Sequence, residues 1–194
     1  LLTGVVGAAE VATTPDSGAC SIDGISQRLI DSDAYYEFVQ SKVVAALSRP
    51  LNSSGVIWLS PNGELVWQLA RPIKSTTVIT TIGAKEYNRR DELQPSMDNT
   101  VASDMSFIFL NVLKGNFSAL ADLFSQSVKC DEGQWTLDLI PIKEPFSDLL
   151  SSLSISGGAS LQRVRYEEAR GDITEIRLTP SSRPDDSLEA YLDD

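Results

Sequence analysis

The sequence predicts an α+β fold: an incomplete antiparallel β-barrel, a half barrel of about 10–11 strands, with helices covering its apolar inner face. Three observations predict it. In the segment after Pro61-Asn62-Gly63, Leu65, Trp67 and Leu69 share one face of a strand while Glu64 and Gln68 share the other. Trp135, Leu137 and Leu139 repeat that alternation in a second strand-rich half. Between the halves the period changes to that of a helix, with Val101, Met105, Ile108, Phe109 and Val112 on one stripe. A sheet with large apolar groups on one face must set that face against a core or an apolar ligand.

Taken in order, residues 9–19 are small, polar and Pro/Gly-containing, the signature of a flexible arm. Ser21 is placed to cap a short helix whose stripe is Ile22, Ile25, Leu29 and Ile30, and Asp31-Ser32-Asp33 ends it. From Tyr35 to Leu47 a strand is expected with Tyr36, Phe38 and Gln40 on one face, followed by a turn over Arg49 to Ser54. Gly55 to Leu59 and Leu65 to Arg71 then pair about Pro61-Asn62-Gly63. Thr76 to Ile82 is rich in β-branched residues, which lose less freedom on a pleated surface than in a helix, and Tyr87 to Leu93 extends the meander.

After the central helix, which stops near Lys114-Gly115, Asn116 is expected to cap a second short helix carrying Phe117, Leu120, Ala121 and Phe124. Strands resume at Val128–Cys130 and Trp135–Ile140, with one helical turn at Pro145–Leu150 before Leu153–Ser156. A closing hairpin turns about Gly171, with Val164 and Tyr166 opposite Ile176 and Leu178. The acidic remainder has Leu188, Tyr191 and Leu192 as its only anchors. The domain reading is 1–19 as a signal-peptide remnant and arm, 20–180 as a single half-barrel domain, and 181–194 as an acidic tail.

Composition narrows the chemistry. The chain has 194 residues, enough for one hydrophobic core. Its 16 basic and 27 acidic residues give a net charge of -11, which repels phosphate backbones and anionic membrane surfaces. Nucleic acid is excluded as a partner on that ground. There is no histidine, so the commonest general base and metal ligand is missing. The two cysteines, Cys20 and Cys130, could pair in an oxidising compartment, or stay apart if their Cα atoms are not close. Leu1 to Ala9 resembles the end of a secretory signal peptide, with Val6-Gly7-Ala8 as a cleavage pattern; an arm cut at an arbitrary boundary is the alternative.

The order of motifs resembles the periplasmic outer-membrane lipoprotein carrier (LolA) family. Phe38-Val-Gln40-Ser-Lys42 matches its first strand, and Gly55-Val-Ile57-Trp58 matches its next motif. Trp67 followed by Pro72, Leu113-Lys114-Gly115-Asn116 and Trp135-Thr-Leu-Asp-Leu-Ile-Pro141 follow in the family's order. The likeness spans residues 22–180. One position departs: where the family carries an Arg-Pro pair that helps to hold the helical lid, this chain reads Ser60-Pro61, or Pro61-Asn62 if no gap is allowed, and has no arginine there.

That resemblance implies a monomeric periplasmic carrier, active after signal-peptide removal in a Gram-negative cell. It would take acyl chains of a lipoprotein or other envelope lipid from an inner-membrane donor to an outer-membrane receptor. No cofactor, metal or catalytic residue is implied. The expected lining is Trp58, Leu65, Trp67, Leu69 and Val78 from one half, with Met105, Phe109, Trp135, Leu137 and Leu139 from the other. Core filling by the same residues is the plain alternative. Burial of a chain contributes about 0.8 kcal/mol per methylene, so an enclosed acyl chain gains on the order of 10 kcal/mol. An enzyme of envelope-lipid or secondary-metabolite synthesis and a lipid-sensing regulatory domain are the competing functions. Glu167 and Glu168 are adjacent on a strand and point to opposite faces, so they do not form an acid/base pair.

Overall fold

The structure, a computed structural model, describes residues 20–30, 35–81, 83–95, 100–182, 188, 191 and 192. The expected arm and the helix stop at Asp31–Asp33 lie outside the described residues, as does the side chain of Val101. Among the described residues ten strands form one open antiparallel sheet, and two edges remain. The chain enters through helix α1 (Ile22–Ile30), then runs β1 (Tyr35–Val43), β2 (Leu51–Leu59), β3 (Leu65–Arg71), β4 (Ser75–Thr80) and β5 (Gly83–Tyr87). Helix α2 (Thr100–Leu113) and a short 3-10 turn (Phe117–Leu120) lead to β6 (Phe124–Asp131) and β7 (Gln134–Pro141). One helical turn, α3 (Phe146–Leu149), precedes β8 (Leu150–Gly157), β9 (Leu161–Glu168) and β10 (Ile173–Pro180).

The sheet order is β5-β4-β3-β2-β1-β10-β9-β8-β7-β6. It consists of two five-stranded meanders, each built from neighbouring hairpins and joined where β1 pairs with β10 over Tyr36↔Pro180 to Val43↔Ile173. The inner face gathers Tyr36, Phe38, Ile57, Leu65, Ile79, Trp135, Leu137 and Leu139 with Ile108, Val112 and Leu113 of α2 in one cluster. Side chains alternate along a strand, so the next residue in each case faces outward. The outer face has a smaller core of Tyr35, Trp58, Val66, Val78, Tyr87 and Leu188, with Tyr191 and Leu192 packed on it. The three expected anchors of the C-terminal segment therefore all press on the outer face.

Helix α1 begins as expected, with the Gly24 amide donating to Ser21 Oγ at 3.0 Å. Ile25 and Leu29 are buried, but Ile30 is 61% exposed, because a residue next to Leu29 lies about 100° around the helix. Gly115 ends α2 at φ +64°, and a Cβ there would lie 2.9 Å from the Ser26 carbonyl oxygen of α1. Cys20 and Cys130 form a disulfide with Cα atoms 5.8 Å apart, fastening the start of α1 to edge strand β6.

Several local expectations are corrected. Strand β2 starts at Leu51, where a turn was expected, because its polar run pairs in continuous register with β1; a bulge interrupts its pairing with β3 between Ser54 and Gly55, and Gly55 is needed because a Cβ would lie 1.9 Å from the Gln68 carbonyl oxygen. Strand β5 covers Gly83–Tyr87, and Tyr87 to Leu93 closes as a turn with one bridge between its ends. Phe117–Leu120 is 3-10, and Phe124 already belongs to β6. Asn116 caps no backbone amide there: its Oδ1 accepts from the Ser118 hydroxyl at 3.0 Å while its Nδ2 donates to Asn111 Oδ1 at 2.9 Å. In the last hairpin Val164 stands opposite Ile176, but Tyr166 stands opposite Thr174.

Candidate functional site

The inner face is apolar along its floor and is occupied by α2. Helix α2 contacts β4, β5 and the 3-10 turn, and its Phe109 ring reaches across the sheet. That ring meets Trp67 of β3 edge-on at a centroid distance of 5.0 Å and Tyr166 of β9 at 6.0 Å. Trp67 in turn meets Phe38 of β1 at 5.3 Å. Four aromatic rings from three strands and one helix thus form a continuous ladder, each contact near T-shaped.

Eight of the expected lining residues are brought to this face. Leu65, Trp135, Leu137 and Leu139 are fully buried, Phe109 is 9% exposed, and Trp67, Leu69 and Met105 are half-buried against the same cluster. Trp58 and Val78 are not on it. The register Trp58↔Val66 and Val66↔Val78 carries both to the outer face, where they pack under Leu188. The doublets Ile57-Trp58, Leu65-Val66 and Val78-Ile79 held the signal: two successive apolar residues on a strand imply that both faces are covered. Tyr166, Ile57 and Ile79 join the inner face without having been singled out for it.

Two hollows among the described residues lie away from the ten expected residues. One, of about 340 Å³, lies between the end of α2 and the β4-β5 turn, bounded by Thr80, Phe107, Leu110, Asn111 and Lys114. A broader groove of about 740 Å³ crosses the outer face by Val39, Val56, Ala70 and Arg71. Above the inner face, Ile108, Phe109, Val112 and Leu113 of α2 pack into the core cluster.

The floor turns polar toward the β9-β10 turn. Lys42 lies 2.5 Å from Glu168 and 3.8 Å from Asp172, and Arg170 approaches the same two carboxylates at 2.6 and 3.5 Å. Burial pushes the Tyr166 phenol above its ordinary value, with the Thr174 hydroxyl and the Lys42 ammonium working against that rise. The phenol is therefore neutral at physiological pH. On the outer face, Tyr191 donates to Asp91 Oδ1 at 2.6 Å and Lys74 pairs with the same carboxylate at 2.8 Å. The Lys74 ammonium, first, and Tyr191 hold the Asp91 carboxyl below its usual range.

No family model and no curated protein matches the chain. Solved structures similar to it include MucB, at 11% identity and a TM-score of 0.47, over 86% of this chain and 62% of that one. The chain thus spans under two thirds of the MucB structure. A putative outer membrane lipoprotein-sorting protein domain from Vibrio parahaemolyticus is similar at 8% identity and a TM-score of 0.41, over 88% of this chain and 96% of that one. A LolA superfamily protein from Nitrosomonas europaea is similar at 9% identity and a TM-score of 0.41, over 84% of this chain and 97% of that one.

Proposed function

We propose that this chain is a periplasmic lipid carrier, in which the inner face of the half barrel receives an acyl chain of a lipoprotein or other envelope lipid. The observation that carries the reading is the position of Phe109: one helix side chain fills the place between Trp67 and Tyr166 that a hydrocarbon chain would take. Loading then means that α2 withdraws and the alkyl chain replaces its apolar contacts. The exchange is close to neutral per unit area, because helix and lipid bury the same floor. A near-neutral exchange suits a carrier, which must release what it binds. Delivery from an inner-membrane donor to an outer-membrane receptor is part of this reading.

Organic-solvent extraction of the purified protein, with mass spectrometry of the extract and native mass spectrometry of the intact chain, tests it. Acyl lipid bound to the folded chain is expected. Hydrogen exchange should show α2 amides losing protection on loading while β7 and β8 keep theirs. A chain that binds neither extracted lipid nor an apolar fluorescent probe, or that binds them with α2 fully protected, is not this carrier.

A further inference from the structure

At the polar end of the inner face, four strands place hydrogen-bonding side chains in adjoining register. Ser53 of β2 stands opposite Gln40 of β1, Lys42 of β1 opposite Thr174 of β10, and Thr174 opposite Tyr166 of β9. They share the face of Phe38 and Ile176, and Tyr166 touches Phe109, so this row starts where the apolar floor stops. Thr174 is 0% exposed, and its hydroxyl, which faces the Tyr166 phenol across the strand pair, makes no hydrogen bond of good geometry. The Ser53 hydroxyl is likewise buried and unpartnered. Buried hydroxyls are nearly always bonded, because removal from water without a partner is costly. Two such groups on the floor of one proposed lipid site are best accounted for by a partner that arrives with the ligand.

The charges nearby decide what kind of partner. Lys42 and Arg170 each contact both Glu168 and Asp172, so two positive and two negative groups neutralise one another. No surplus cation is left in that cluster to draw a carboxylate or phosphate. Ser53 and Thr174 are two strand spacings and two residues of register apart, about 12 Å. A glycerol ester reaches that far with its carbonyl and hydroxyls, once a hydrogen bond of about 2.8 Å is added at each end.

We propose that Ser53, Gln40, Thr174 and Tyr166 form a subsite for the uncharged polar head of an acyl lipid of the acylglycerol class. The alkyl chain runs away from them over Leu69, Trp67 and the place of Phe109. This rests on the acyl-carrier reading above.

Displacement of N-phenylnaphthylamine at pH 8 by 1-monopalmitoylglycerol and by palmitate, which is ionised there, tests the subsite. The glycerol ester is expected to displace the probe at a concentration at least tenfold lower than palmitate. The S53A/T174V double variant should bring the two within threefold while binding the probe as before. Equal potency in the unaltered protein, or a stronger palmitate, overturns the subsite and leaves the carrier reading standing. Failure of the probe and of both lipids to bind overturns both. The ligand-free thermal midpoint supplies an independent readout: T174V removes a hydroxyl that makes no hydrogen bond of good geometry, so the midpoint should hold or rise. A fall would mean that the hydroxyl is already bonded, and the subsite would be lost.

Discussion

Phe109 governs the ligand-free state, since it closes the aromatic ladder from the helix side. Phe109→Ala should cost about 3 kcal/mol by the usual large-to-small scale, and should raise the affinity for an apolar probe severalfold. Denaturant titration and probe fluorescence check the two halves. Tyr166 gives a pH signature. Its folded-state value is raised, so the unfolded chain gives up that proton first. Stability is then fully present below about pH 10 and declines as pH rises past the ordinary phenol value. Tyr166→Phe should flatten this alkaline decline in thermal melts between pH 9 and 11. At this scale the sequence was legible where alternation was strict: Trp135, Leu137 and Leu139 reached the inner face as read. Trp58 and Val78 were misread because an apolar doublet does not say which member faces inward until the register is known.

The elements depend on two fastenings. The Cys20-Cys130 disulfide closes a sequence separation of 110 residues and ties α1 to an edge strand. Loops of that length gain about 4–5 kcal/mol from closure in the chain-entropy account. A C20S/C130S variant should therefore lose a few kcal/mol in denaturant titrations, and the unaltered protein should present no free thiol. The second fastening is the C-terminal segment, whose Leu188 is 4% exposed over Trp58, Val66 and Val78. Truncation after Ser182 should uncover Trp58, shift tryptophan emission to the red and make it quenchable by acrylamide. Turn chemistry made helix α1 and the hairpins legible in the sequence. The disulfide was left open there because spacing alone does not bring two Cα atoms together. The start of β2 was missed because Asn52, Ser53 and Ser54 carry no strand propensity and are held by their neighbours.

For the whole molecule, a charge of -11 sets how the protein meets surfaces. Flotation with anionic phosphatidylglycerol vesicles at low salt should leave it unbound, because like charges repel within a Debye length. Association under those conditions would mean that a basic patch, or insertion of apolar surface, outweighs the net charge. The α+β class and the order of strand-rich half, helices and strand-rich half were readable from periodicity alone. The sheet order was not, because hairpins announce neighbours in sequence while the β1-β10 pairing joins residues that no local signal connects.

That central pairing has a bearing on biosynthesis. Tyr36 meets its second neighbour only when Pro180 has been made, so β10 completes the middle of the sheet after both meanders are in place. Each half can assemble its own hairpins early, yet neither gains its neighbour until β10 has been made. Contacts so remote in sequence slow folding, since chain entropy is lost before they form. Until β10 docks, the two half-sheets stay separate, and that is the form in which the polypeptide is easiest to pull apart.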